Sequence, residues 1–131
     1  MDHKKILIVD DDDFLLDMYA MKFREAGFLV DIAKNGEEAL SKAKEVQPDI
    51  VLLDVVMPKM DGFEVLRTLK QNAIISNALI FILSNLGQKE DIERGLKLGA
   101  RDYIVKAQFT PSEVVAKIKS FLTVPAAGYG Y

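Results

Sequence analysis

Five short apolar runs constrain the fold of this chain more than any other feature: Ile6–Val9, Leu29–Ala33, Ile50–Leu53, Leu79–Leu83 and Tyr103–Val105. They are rich in Val, Ile and Leu and read as non-alternating, the pattern of parallel strands covered on both faces. Helical spacing fills the gaps. Ala39, Leu40, Ala43 and Val46 share one face, and Phe63, Leu66 and Leu69 share another. Val114, Val115, Ile118, Phe121 and Leu122 form a third. Asn35-Gly-Glu-Glu38, Asp61-Gly-Phe-Glu64 and Thr110-Pro-Ser-Glu113 each place a capping residue three positions before a Glu. Pro111 falls at a first helical position, and Gly27 and Gly99 read as helix terminators. A first helix over 14–26 is apolar nearly all round, so its buried face stays undecided. The strand–helix order, repeated five times with right-handed crossovers, predicts one open, doubly wound α/β sheet with helices on both faces.

Composition then narrows the function classes. At 131 residues, half of them hydrophobic, the chain suits one domain with its own core. A net charge of -3 argues against direct nucleic-acid binding. The absence of Cys excludes disulfides and thiolate metal sites, and His3, the single histidine, cannot build a His-based zinc site or a catalytic triad. The longest apolar run, Ala78 to Leu83, is far short of the ~20 residues of a membrane helix. Met1 to Lys5 lead into a run of only four apolar residues, too short for a signal peptide, so none is expected. The expectation is a soluble cytoplasmic domain over 1–123, with 124–131 a tail or the start of a linker. The methionines read as core filling, and the charged run from Lys89 to Arg94 as an exposed helix face.

Sites in open α/β sheets form beyond the carboxyl ends of the strands. The first strand is followed by Asp10, Asp11, Asp12 and Asp13, the third by Asp54, the fourth by Ser84 and Asn85, and the fifth by Lys106. Clustered carboxylates raise one another's pKa unless a cation holds them ionised. Oxygen ligands without His or Cys suit Mg²⁺. An aspartate beside such an ion can attack phosphorus, while the ion and a lysine neutralise the phosphoryl oxygens. Asp10 and Asp11 follow the strand most directly, whereas Asp12 and Asp13 suit the start of the next helix. Each residue alone has a plainer reading: Lys106 a solvated charge, Ser84 a turn hydroxyl, Tyr103 edge packing.

Four motifs in order, "ILIVDDD", "DIVLLDVVMPKMDGFEVL", "ILSN" and "GARDYIVK", resemble the receiver domain of two-component response regulators over roughly Lys5 to Leu122. The resemblance implies a flavodoxin-like fold with parallel strands in the order 2-1-3-4-5. It implies that Asp54 accepts a phosphoryl group from a sensor histidine kinase or phosphotransfer protein. Asp11, Asp54 and the backbone carbonyl of Val56 would bind Mg²⁺, with Mn²⁺ as a possible substitute, and Asp10 would hold a metal-bound water. Lys106 would contact the phosphoryl group, Ser84 would move toward it, and Tyr103 would turn inward in concert. The fourth helix, fifth strand and fifth helix would signal to a downstream protein or linked output domain. Such a receiver assists its own phosphorylation and dephosphorylation and is not a turnover enzyme. A monomer or weak dimer is expected.

One departure from the family pattern stands at Lys106-Ala107-Gln108-Phe109, where Lys-Pro-Phe is usual. Without proline, a cis bond costs ~2.5–4 kcal/mol, so Lys106–Ala107 is expected to be trans, with one extra residue absorbing the change. Asn85 is expected to narrow the access of attacking water to the site. Two alternatives accompany the switch: a pseudo-receiver that binds partners without phosphorylation, and a Mg²⁺-dependent aspartyl-phosphate phosphohydrolase. Val56 disfavours the latter, since it stands where such enzymes carry an acid and cannot transfer protons.

Overall fold

The computed structural model describes residues 3–75 and 77–123. Five parallel strands, β1 (Lys5–Val9), β2 (Leu29–Ala33), β3 (Ile50–Leu53), β4 (Leu79–Ser84) and β5 (Asp102–Val105), form one sheet in the order β2-β1-β3-β4-β5. Helices α1 (Asp13–Glu25), α2 (Gly36–Val46), α3 (Gly62–Gln71), α4 (Lys89–Lys97) and α5 (Pro111–Thr123) alternate with them. The order 2-1-3-4-5 with helices on both faces is the expected flavodoxin-like arrangement.

The period of two along each strand divides the core. Leu7, Val9, Val51, Leu53, Ile80 and Ile82 face one layer, where Ala39 and Ala43 of α2 and Phe63, Leu66 and Leu69 of α3 cover them. Ile6, Ile8, Ile50, Leu52, Phe81 and Leu83 face the other, against Leu16, Tyr19 and Phe23 of α1 and Val114 and Ile118 of α5. The central strands are therefore buried on both faces, as their unbroken apolar runs require. β2 departs from that expectation. It lies at the sheet edge, Leu29 is exposed, and Val30, Asp31 and Ile32 are half-buried.

The structure settles the ambiguity of α1. Leu16, Tyr19, Ala20 and Phe23 form its buried stripe, while Phe14 and Met21 remain exposed. Met21 thus fills no core, unlike Met57. The expected caps are present. Asn35 Oδ1 accepts from the Glu38 N–H at 2.9 Å and Asp61 Oδ1 from the Glu64 N–H at 2.9 Å. Thr110 and Glu113 cap reciprocally, the Glu113 N–H donating to Thr110 Oγ1 at 3.1 Å and the Thr110 N–H to Glu113 Oε1 at 2.8 Å. Replacing Thr110 with Ala is expected to destabilise the fold by about 1 kcal/mol, read as a lower urea midpoint. Gly27 and Gly99 end α1 and α4 with positive φ. The expectation for 124–131 lies outside the described residues.

Candidate functional site

The carboxyl ends of four strands deliver the candidate residues to one place. Asp10 follows β1, Asp54 follows β3, Ser84 ends β4 and Lys106 follows β5. Asp10, Asp54 and Ser84 are the buried polar side chains among the described residues, at 3%, 7% and 0% exposure. Parallel pairing sets their alignment. Val9 is in register with Leu53, so Asp10 and Asp54 emerge side by side, and Ser84 is in register with Val105, beside Lys106.

Lys106 joins the two acids. Its Nζ lies 2.8 Å from Asp10 Oδ2 and 3.4 Å from Asp54 Oδ2. The Asp12 N–H donates to Asp10 Oδ1 at 3.0 Å, and the Val56 N–H to Asp54 Oδ1 at 3.4 Å. Burial pushes the Asp54 carboxyl above the usual carboxylate range; Lys106 pulls the other way and the Asp10 charge adds to the rise. Burial also disfavours the charged Lys106, but its bond to Asp10 and the charges of both acids outweigh that, and its pKa is raised. The ammonium is thus fully charged, whereas the ionised Asp54 remains under-compensated.

Asp11 completes an acidic cluster. One carboxylate oxygen from each of Asp10, Asp11 and Asp54 lies within 4.8 Å of the others. Asp11 is exposed, so the cluster opens to solvent on that side. Asp12 and Asp13 take the helix-start places expected of them: Asp12 Oδ1 caps α1 through the Leu15 N–H at 3.0 Å, and Asp13 pairs with Lys34 at 3.0 Å.

The loop after β4 is fastened at Leu86, a residue with no signal in the sequence. Its N–H donates to Ser84 Oγ at 3.2 Å, and its carbonyl accepts from the Tyr103 hydroxyl. Tyr103 is already buried in this state, and burial pushes its hydroxyl up to about 12. The family resemblance implies that Met57-Pro58 and Asp61-Gly62 shape the loop after Asp54. The role of Gly62 here is close approach: a Cβ there would lie 2.1 Å from the Asp54 carbonyl oxygen and 2.7 Å from Val55 Cα. Because both are backbone atoms, Gly62→Ala is expected to cost about 2 kcal/mol by urea denaturation.

The segment after Lys106 differs from the pattern usual in the family. Residues Lys106–Gln108 form a 3-10 turn closed by the Phe109 N–H to the Lys106 carbonyl at 3.2 Å. No peptide bond among the described residues is cis, as expected for Lys106–Ala107. Ala107 and Gln108 lie in that turn, and Lys106 reaches both carboxylates.

Comparisons with known proteins agree with this fold. Residues 6–119 match the response regulator receiver domain family. The chain is 40% identical over 120 residues to the alkaline phosphatase synthesis transcriptional regulatory protein PhoP of Bacillus subtilis, covering 92% of this chain and 49% of PhoP. It therefore spans about half the length of that relative. The chemotaxis protein CheY4 of Vibrio cholerae superposes with a TM-score of 0.84 at 29% identity, over 91% of this chain and 98% of CheY4. A chain of the CheX–CheY–BeF3–Mg complex from Borrelia burgdorferi superposes with a TM-score of 0.83 at 34% identity, over 92% and 90%. The chain belongs to the receiver-domain family of two-component response regulators, signalling modules whose general function is a phosphorylation-dependent switch.

Proposed function

We propose that Asp54 is the residue that accepts the phosphoryl group, supplied by a sensor histidine kinase or a phosphotransfer protein. The observation that carries this reading is the bridge from Lys106 to both Asp10 and Asp54 at the carboxyl edge of the sheet. The donor set fits a hard divalent cation. It offers three carboxylates, and no thiolate is possible in a chain without Cys. Ionised Asp54 is disfavoured by burial, so a cation at the cluster relieves that cost. Asp11, Asp54 and the Val56 carbonyl would hold Mg²⁺, or Mn²⁺ in its place, with Asp10 acting through a water. When bound, the ion supplies positive charge against the phosphoryl oxygens. The Borrelia burgdorferi complex, described as containing Mg²⁺, supports the choice of ion.

The chain's own groups do the remaining work. The Asp54 carboxylate attacks phosphorus, and the leaving group departs with the donor. Lys106 neutralises charge on the transferred group. Ser84, buried at the end of β4, is placed to donate its hydroxyl to a phosphoryl oxygen, which would loosen its bond from the Leu86 N–H. The Tyr103 ring and the loop at Leu86 then follow. The output is a downstream protein or a linked domain. PhoP is described as a transcriptional regulatory protein, and this chain corresponds to about half of it. With a net charge of -3, the chain itself is not the nucleic-acid-binding part. A cytoplasmic location and a monomer or weak dimer complete the reading. No helix among the described residues is long and apolar enough to cross a membrane.

Incubation with acetyl phosphate and Mg²⁺, followed by intact mass measurement, tests the proposal. The expected result is a gain of one phosphoryl group that disappears in EDTA and in Asp54→Asn. A gain that persists in Asp54→Asn would place the modification elsewhere and overturn the assignment.

A further inference from the structure

We propose that Gly95 is the residue that positions the Tyr103 ring inward, and through it the loop at Leu86. Gly95 is the buried residue of α4. A Cβ there would lie 2.6 Å from Ile82 Cδ1, 2.9 Å from Tyr103 Cδ2 and 3.3 Å from Tyr103 Cε2. The absent side chain therefore lets α4 rest directly on the tyrosine ring and on the β4 residue behind it. The ring is a movable neighbour, unlike the backbone atoms that confront Gly62. Added bulk at position 95 must displace the Ile82 side-chain end, the Tyr103 ring or α4 itself. A swing of the ring takes the hydroxyl away from the Leu86 carbonyl.

Leu86 makes that loss matter. Its carbonyl is held by Tyr103 and its N–H by Ser84, so one peptide segment ties the ring to the buried hydroxyl beside the acidic site. Gly95 is remote from the phosphoryl site in sequence and contributes no functional group. Its effect is steric, set by how closely α4 approaches. The inference deepens the proposed switch and rests on it only for the role of Ser84 and Tyr103 as the responding pair.

The test is nitration of tyrosine by tetranitromethane without a phosphoryl donor, with each ring followed by peptide mass mapping. Tyr19 is buried in the other core layer and reports general loosening. In Gly95→Ala, Tyr103 is expected to nitrate several-fold faster than in the wild-type chain, with Tyr19 unchanged. Ile82→Val in the same background removes the Cδ1 atom that the new methyl meets. That double variant keeps the contact with the ring, so its Tyr103 is expected to nitrate more slowly than in Gly95→Ala but still faster than in the wild-type chain, and it is the variant used if Gly95→Ala alone does not fold. Unchanged Tyr103 nitration in both variants, or equal acceleration of Tyr19 and Tyr103, overturns the proposal. Because no phosphoryl group is present, a failure of Asp54 to become phosphorylated leaves this result intact and is seen separately.

Discussion

Lys106→Ala is expected to lower stability by about 3 kcal/mol at pH 7 without divalent ions, because it strands two buried carboxylates. The Lys106 ammonium lies 2.8 Å from Asp10 and 3.4 Å from Asp54. All three side chains are at most 10% exposed, so water cannot substitute for the lost cation. Part of the loss is recovered by proton uptake at the site, and the variant is accordingly less destabilised as the pH falls. A second substitution, Asp54→Asn, removes one of the stranded charges and is expected to restore much of the stability. The four proteins form a double-mutant cycle with a large coupling term. Urea midpoints measured in EDTA check this. A Lys106→Ala midpoint equal to that of the wild-type chain would show that the ammonium does not hold these acids.

Asp54→Asn in the otherwise unchanged chain carries the second large effect, and its sign is opposite. We expect the variant to be about 1 kcal/mol more stable than the wild type in EDTA at pH 7, since a desolvated carboxylate is replaced by a neutral group of similar shape. Burial raises the native pKa of Asp54 above its ordinary 3.8. The folded chain therefore binds that proton more tightly than the unfolded chain does. As the pH climbs from 3.8 through the native value, wild-type stability falls relative to the variant. Below 3.8 both proteins carry a neutral side chain there, and the difference closes. Mg²⁺ adds the other half of the test. An ion bound only by the folded chain stabilises it by mass action, so millimolar Mg²⁺ is expected to raise the wild-type melting temperature and leave the variant almost unmoved. A variant less stable than the wild type in EDTA across this pH range would refute the account.

These two residues were legible because the chemistry advertises itself. Asp54 stands after an unbroken apolar run and Lys106 after another, and the rule that sites gather at strand carboxyl ends joins them. The caps at Asn35, Asp61 and Thr110 were legible for a similar reason, since a side-chain oxygen three residues before Glu is a local signal. Leu86 was not, because it acts through its N–H and carbonyl, which every residue possesses. The buried stripe of α1 was hidden by its neighbours: Phe14 and Met21 are as apolar as Leu16 and Phe23, yet they face solvent. The apolar run of β2 looked like those of the central strands, and only the strand order implied by the family resemblance put it at the edge, where one side stays half-open. The preference of Lys106 for Asp10 was likewise invisible, since it is a difference between two side-chain distances that strand order alone does not set.

That preference has a mechanical consequence. A phosphoryl group carries up to about two negative charges in place of the single charge of the carboxylate. Attached to Asp54, it would outbid Asp10 for the lysine and drag the end of β5 toward the middle of the sheet. The message would then run sideways, across neighbouring strand tips, rather than down any helix axis. Asp10 would be left as the idle half of a broken pair, ready to reclaim its cation once the phosphate departs.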